Sequence, residues 1–143
     1  MILIAHRGNI GGPNPEKENH PDYIEDTIKK GYEIEVDVWY VEDGCYLGHD
    51  GPQYKVDISF FENKPLWCHS KNIEAVRYLL DNQIHCFFHK TDDVTLTSRG
   101  YIWTFPNKPL VPRSVCVMPE RGYNGELSNC IGICSDYIQD YRL

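Results

Sequence analysis

Nearly every short apolar run in this chain stops at once on a polar residue able to do chemistry. Residues 1–5 end at His6-Arg7, and the run around Val36 carries Asp37. Trp67-Cys68 leads to His69 and Lys71, and Cys86-Phe87-Phe88 leads to His89-Lys90. Ile102-Trp103 leads to Thr104, residues 115–118 to Glu120, and residues 131–134 to Asp136. Continuous apolar runs of this length suit strands buried on both faces, as in a parallel sheet. In a barrel of parallel strands the active site forms at the carboxyl ends of the strands. The pattern therefore predicts an α/β fold, a reduced TIM-type barrel with a truncated second half. Truncation follows from length: such barrels typically take about 250 residues, and this chain has 143.

Only two helices are evident. Asn19-His20-Pro21 opens the first, with Asn19 or His20 at the cap and Pro21 in the first turn. Tyr23, Ile24, Thr27 and Ile28 make its buried face, and Gly31 stops it. The second covers residues 72–82, with Ile73, Val76, Leu79 and Leu80 at helical spacing. Residues 9–17, rich in Gly, Pro and Asn, read as a loop. Residues 51–64 read as irregular and 91–100 as polar, so the second half must join its strands with loops or short turns. There is no internal repeat and no linker, which makes residues 1–143 one domain.

Residues 33–50 hold the densest chemistry. Glu33, Glu35 and Asp37 alternate with Ile34, Val36 and Val38, so the acids share one face of a strand. Asp43-Gly44 is a tight-turn signal, after which the chain runs back to deliver His49. Two carboxylates two residues apart can bind one hard cation from the same side, and a nearby histidine can move protons. The competing reading is a half-buried strand with a solvated acidic face.

Composition removes some functions. A net charge of -7 argues against nonspecific binding to nucleic acid and against adhesion to an anionic membrane. No apolar run approaches the roughly 18 residues of a spanning helix, and residues 1–5 are too short for a signal-peptide core. The expectation is an intracellular, cytoplasmic protein. Five of the six cysteines sit inside apolar runs, which favours free thiols over a disulfide framework. A zinc site using Cys130 and Cys134, or Cys68 with His69, is the alternative.

The ordered set His6-Arg7-Gly8, Glu18-Asn19, Glu35-x-Asp37, Asp43-Gly44 and His49-Asp50 resembles the glycerophosphodiester phosphodiesterase family, one of the phospholipase-C-like phosphodiesterase barrels. The resemblance is close over residues 1–50 and thins beyond residue 65. There, residues 66–71 look like the family's third strand, and residues 131–137, with Ser135-Asp136-Tyr137, look like its closing strand. Two departures stand out. His69 occupies the place of a family glutamate that ligates metal, and the segment between the third and last strands is far shorter than usual.

The resemblance implies that Glu35 and Asp37 hold a divalent cation, Mg2+ or Ca2+. It implies that His6 and His49 are an acid–base pair, that Arg7 contacts phosphate, and that Lys71 adds positive charge. A histidine ligand at His69 would shift preference toward Mn2+ or Zn2+. Glu120, which also follows a strand, is a candidate replacement acidic ligand, and His89 and Trp103 are candidate pocket walls. The chemistry is coherent on its own terms. A cation plus Arg7 offsets phosphodiester charge, and histidine's ordinary pKa suits proton transfer near neutrality. The substrate would be a small-molecule phosphodiester. The expectation is metal-dependent cleavage, with a non-catalytic metal and phosphate-binding module, or a lyase releasing a cyclic phosphate, as alternatives. Oligomeric state stays open.

Overall fold

A computed structural model describes residues 1–42 and 44–143. The first half contains β1 (Ile2–His6), α1 (Pro21–Lys29), β2 (Glu33–Val41), β3 (Gly44–Leu47), β4 (Tyr54–Val56), β5 (Leu66–Ser70) and α2 (Ile73–Asp81). The second contains β6 (Cys86–Phe88), β7 (Val94–Leu96), β8 (Ile102–Thr104), β9 (Ser114–Val117) and β10 (Gly132–Ser135). Asp43, half of the expected Asp43-Gly44 turn, lies outside the described residues.

Local chemistry accounts for both helices. The His20 ring accepts the Asp22 N–H at 3.1 Å, so His20 rather than Asn19 caps α1. Pro21 then supplies a helical φ at the first position. Asn72 caps α2 by accepting the Ala75 N–H at 3.1 Å. The same amide brackets Tyr40, accepting its N–H and donating to its carbonyl, which ties α2 to β2. Ala75 and Leu79 are the buried face of α2. Ile73 and Leu80, placed on that face by spacing, are exposed.

The expected TIM-type barrel does not form. A single ten-stranded mixed sheet curls into a half-barrel, with two α-helices on it. Strands β6, β5, β2, β1, β10, β9 and β8 lie side by side and parallel. β7 runs antiparallel to β8, and the β3–β4 hairpin leaves the second half of β2 antiparallel. β6 and β7 form no ladder among the described residues; the Thr95 hydroxyl donates to the Phe88 carbonyl, and beyond β7 the Ser98 N–H donates to the Cys86 carbonyl. The cause lies in the crossovers. A helical crossover needs at least about 10–12 residues. Residues 105–113 hold three prolines, and residues 118–131 are broken by Pro119, Gly122 and Gly125, so these links form turns instead. β4 and β7 escaped sequence reading because they are short edge strands; Val94 and Leu96 face outward.

Alternation along the strands sorts two layers. Ile34, Val36, Val38 and Cys68 pack outward under the helices with Ile24 and Leu79. Ile4, Trp67, Phe87, Trp103, Val115 and Cys134 fill the concave side. One step further along each strand, the concave side turns polar. All six cysteines are free, and all but Cys130 are buried. Burial pushes the Cys45 and Cys116 thiols up to about 12. No helix of the described residues is long and apolar enough to cross a membrane.

Candidate functional site

Parallel register assembles the site. His6 pairs with Glu35 across β1 and β2, and Asp37 pairs with His69 across β2 and β5. Neighbours in register point to the same face, so residues far apart in sequence meet on the concave side. Glu35, Asp37 and His69 each offer a ligand atom, all within 4.8 Å of one another. His69 Nδ1 lies 3.3 Å from Asp37 Oδ1 and 3.7 Å from Glu35 Oε1.

This donor set fits a divalent cation. His69 Nε2 donates to the His89 carbonyl at 3.0 Å, which leaves the Nδ1 lone pair facing the two carboxylates. Asp37 Oδ1 is buried and has no hydrogen-bond partner. Both carboxylates are almost fully buried, Glu35 at 2% and Asp37 at 1% exposure. Burial first, then the neighbouring Asp37 charge, pushes the Glu35 carboxyl up. Asp37 moves the other way. Burial opposes its charge, yet the adjoining His49 and His69 rings and the Arg7 charge hold it well below the usual carboxylate range. Two carboxylates so close, with an imidazole lone pair between them, are a set that a cation relieves. Oxygen donors with one nitrogen suit Mg2+ or Mn2+, the nitrogen favouring the latter.

The second Asp37 oxygen is held by protein. Asn19 Nδ2 donates to it at 2.9 Å and Asn19 Oδ1 accepts the Asp37 N–H at 2.9 Å. Arg7 Nε lies 3.1 Å from the same oxygen. Arg7 reaches it from a left-handed turn, φ 54°, followed by Gly8 at φ 91°. A Cβ on Gly8 would meet Tyr23 Cδ1 at 2.9 Å, so glycine lets the turn lie against α1. Arg7 also donates to Glu18 at 3.3 Å and to His49 Nδ1 at 2.6 Å. Arginine can only donate, so Nδ1 is the acceptor in the neutral ring; a protonated ring would turn that nitrogen to Asp37 Oδ2, 3.5 Å away. The Glu18 and Asn19 pair thus positions Arg7 and Asp37.

His6 has a partner that sequence reasoning did not assign. Its Nδ1 donates to Asp136 Oδ1 at 2.8 Å, while Nε2 lies 3.7 Å from Glu35. Burial alone would depress the imidazolium, but the Asp136 bond and the Glu35 charge outweigh it and the His6 pKa is raised. Asn9, fully buried, donates to both Asp136 and Glu18. Asp136 was findable, since it ends the last strand beside β1. Asn9, inside a loop of Gly, Pro and Asn, had no such signal.

Most of the remaining candidates converge on one cleft of about 390 Å3. His6, Arg7, His49, His69 and Lys71 line one part of it. His89 and Trp103 line another. Lys71 Nζ is 3.7 Å from Asp37 Oδ1. A neighbouring cleft of about 500 Å3 shares Arg7 and His49 but lacks His6 and His69. Glu120 is not brought to the carboxylate pair. It instead accepts from the Ser135 hydroxyl at 2.9 Å and the Asp136 N–H at 3.0 Å, which orients Asp136 toward His6. No family model, curated protein or solved structure matches the chain. The functional reading therefore rests on this geometry.

Proposed function

We propose that this chain is a metal-dependent phosphodiesterase acting on a small phosphodiester of the glycerophosphodiester kind. One observation carries the reading: the buried Glu35 and Asp37 share a donor set with His69, and His69 lines a cleft together with two further histidines, His6 and His49, and Arg7. A binding site for a metal and an anion needs the cation and Arg7; it has no use for an acid–base pair. A cation held by Glu35, Asp37 and His69 would neutralise phosphate charge and polarise its oxygens.

The chain's own residues supply the rest. Arg7 presents its guanidinium to phosphate oxygens and stabilises the added negative charge of the transition state. His6 is built to hold a proton, because Asp136 stabilises its imidazolium. It takes the proton of the attacking hydroxyl as the new P–O bond forms. His49, at the half-exposed rim, acts in its protonated form, with Nδ1 turned to Asp37 Oδ2, and gives a proton to the departing alkoxide as the old P–O bond breaks. Lys71 adds positive charge beside Asp37.

A cleft of about 390 Å3 suits a small molecule and not a polymer. Six unpaired thiols fit a reducing, cytoplasmic setting. The test is turnover of a bis-aryl phosphodiester and of glycerophosphodiesters, each with Mg2+, Mn2+ or Ca2+. Metal-dependent cleavage, abolished in His6→Ala and in His49→Ala, is the expected result. Cleavage of only the substrates with a neighbouring hydroxyl, with a cyclic product, would make it a cyclising lyase. Silence on all of them, with metal still bound, would replace the enzyme with a binding module.

A further inference from the structure

The cleft wall is charged against the balance of the whole chain. The protein carries 21 acidic and 14 basic side chains. Yet Lys71, Lys90, Arg7 and Arg121 line the cleft, and no carboxylate does. Arg7 and Lys71 are engaged by Asp37. Lys90 and Arg121 make no ion pair among the described residues, and both are exposed. Nothing in the reaction above uses them.

A second observation points into the same half of the cleft. His89 is 8% exposed, and neither of its ring nitrogens has a hydrogen-bond partner. Its carbonyl is committed to His69, so the residue is anchored while its ring lines the cleft. The ring tilts against Phe105, with centroids 4.8 Å apart. A buried polar group without a partner carries an uncompensated desolvation cost, one that a ligand's hydrogen bond removes.

We infer that His89, Lys90 and Arg121 form a second oxyanion subsite, for a phosphate carried on the leaving alcohol of the substrate. Phosphate is the class chosen because the Arg121 fork can span two of its oxygens while Lys90 supplies a point charge and His89 a hydrogen bond. Phe105 and Trp103 line the same cleft, which suits a short hydrocarbon or ring stem. The substrate is then a phosphodiester whose head group ends in a phosphomonoester. This rests on the phosphodiesterase reading for the first phosphate.

Binding calorimetry on the Mn2+-loaded protein tests it, with butanediol bisphosphate and butyl phosphate as probes. The expected result is that the bisphosphate binds about tenfold tighter or more. Lys90→Ala with Arg121→Ala should erase that gain and leave butyl phosphate binding unchanged, and His89→Phe should erase part of it. Equal affinities, or a gain that survives the double variant, overturn the subsite. A butyl phosphate ending in a carboxylate that binds as tightly as the bisphosphate overturns the assignment to phosphate. Failure of both probes on protein that holds Mn2+ overturns the subsite and the first-phosphate reading together. Bisphosphate binding that needs Lys90 and Arg121 but not Mn2+ sustains the subsite and removes the metal–phosphate reading.

Discussion

The His69 ring is turned by the His89 backbone: Nε2 donates to the His89 carbonyl at 3.0 Å. That single bond sets the neutral tautomer and aims the Nδ1 lone pair at Asp37 and Glu35. It makes the residue that follows β6, the strand next to β5, part of the candidate metal site although it contributes no ligand.

His69→Ala is therefore expected to lower Mn2+ affinity by about tenfold or more and to reduce the preference for Mn2+ over Mg2+. Calorimetry with both ions checks this. An unchanged metal profile would exclude His69 as a ligand.

Asp136→Asn is expected to lower the His6 pKa, because the carboxylate that stabilises the imidazolium is gone. NMR titration of the metal-free protein reads it directly. The sign for stability follows. The folded value lies above the ordinary 6.5, so the pair stabilises the fold fully below pH 6.5 and loses that contribution as pH rises through the raised value. The variant should narrow the stability difference between acid and neutral pH. A His6 titration identical to wild type would show that Asp136 does not set it.

His85 predicts the opposite slope. It is buried, its ring nitrogen pairs with the Thr97 hydroxyl at 2.8 Å, and burial with the Arg99 charge lowers its pKa to about 4. The unfolded chain takes up the proton first as pH falls below 6.5, so stability declines from there toward pH 4. The loss is at most roughly 3 kcal/mol. His85→Gln should flatten it in urea unfolding followed across that range, and an equally steep loss in the variant would clear His85.

Gly8→Ala is expected to cost about 1–3 kcal/mol, from the left-handed backbone and the approach to Tyr23. Since the turn carries Arg7, phosphate affinity should fall as well. Thermal unfolding and phosphate titration read the two effects, and a variant as stable as wild type would show that α1 can yield.

Much of the site was legible because its signals are local. Period-two alternation alone puts Glu35 and Asp37 on one face, and the polar residue after each apolar run marks the end of the sheet where they gather. The caps at His20 and Asn72 are local too, each side chain accepting a backbone N–H two or three residues on. Partnership was not legible. His6 and Asp136 are 130 positions apart and meet through the β1–β10 register. Glu120 ends a strand as a ligand might, yet the turn after β9 points it to Ser135 and Asp136. Edge strand β7 turns Val94 and Leu96 to solvent, and β4, which packs Tyr54 and Val56 on the core, is only three residues long, too short for its alternation to register. The half-barrel in place of a helix-wrapped barrel was decided by its links, one short and rich in proline at residues 105–113, the other broken by Pro119, Gly122 and Gly125. Sequence by itself determined which residues share a strand face, since that depends on backbone geometry over a few residues. Tertiary structure decided which faces meet, since register, curl and crossover length join segments whose spacing carries no periodic signal.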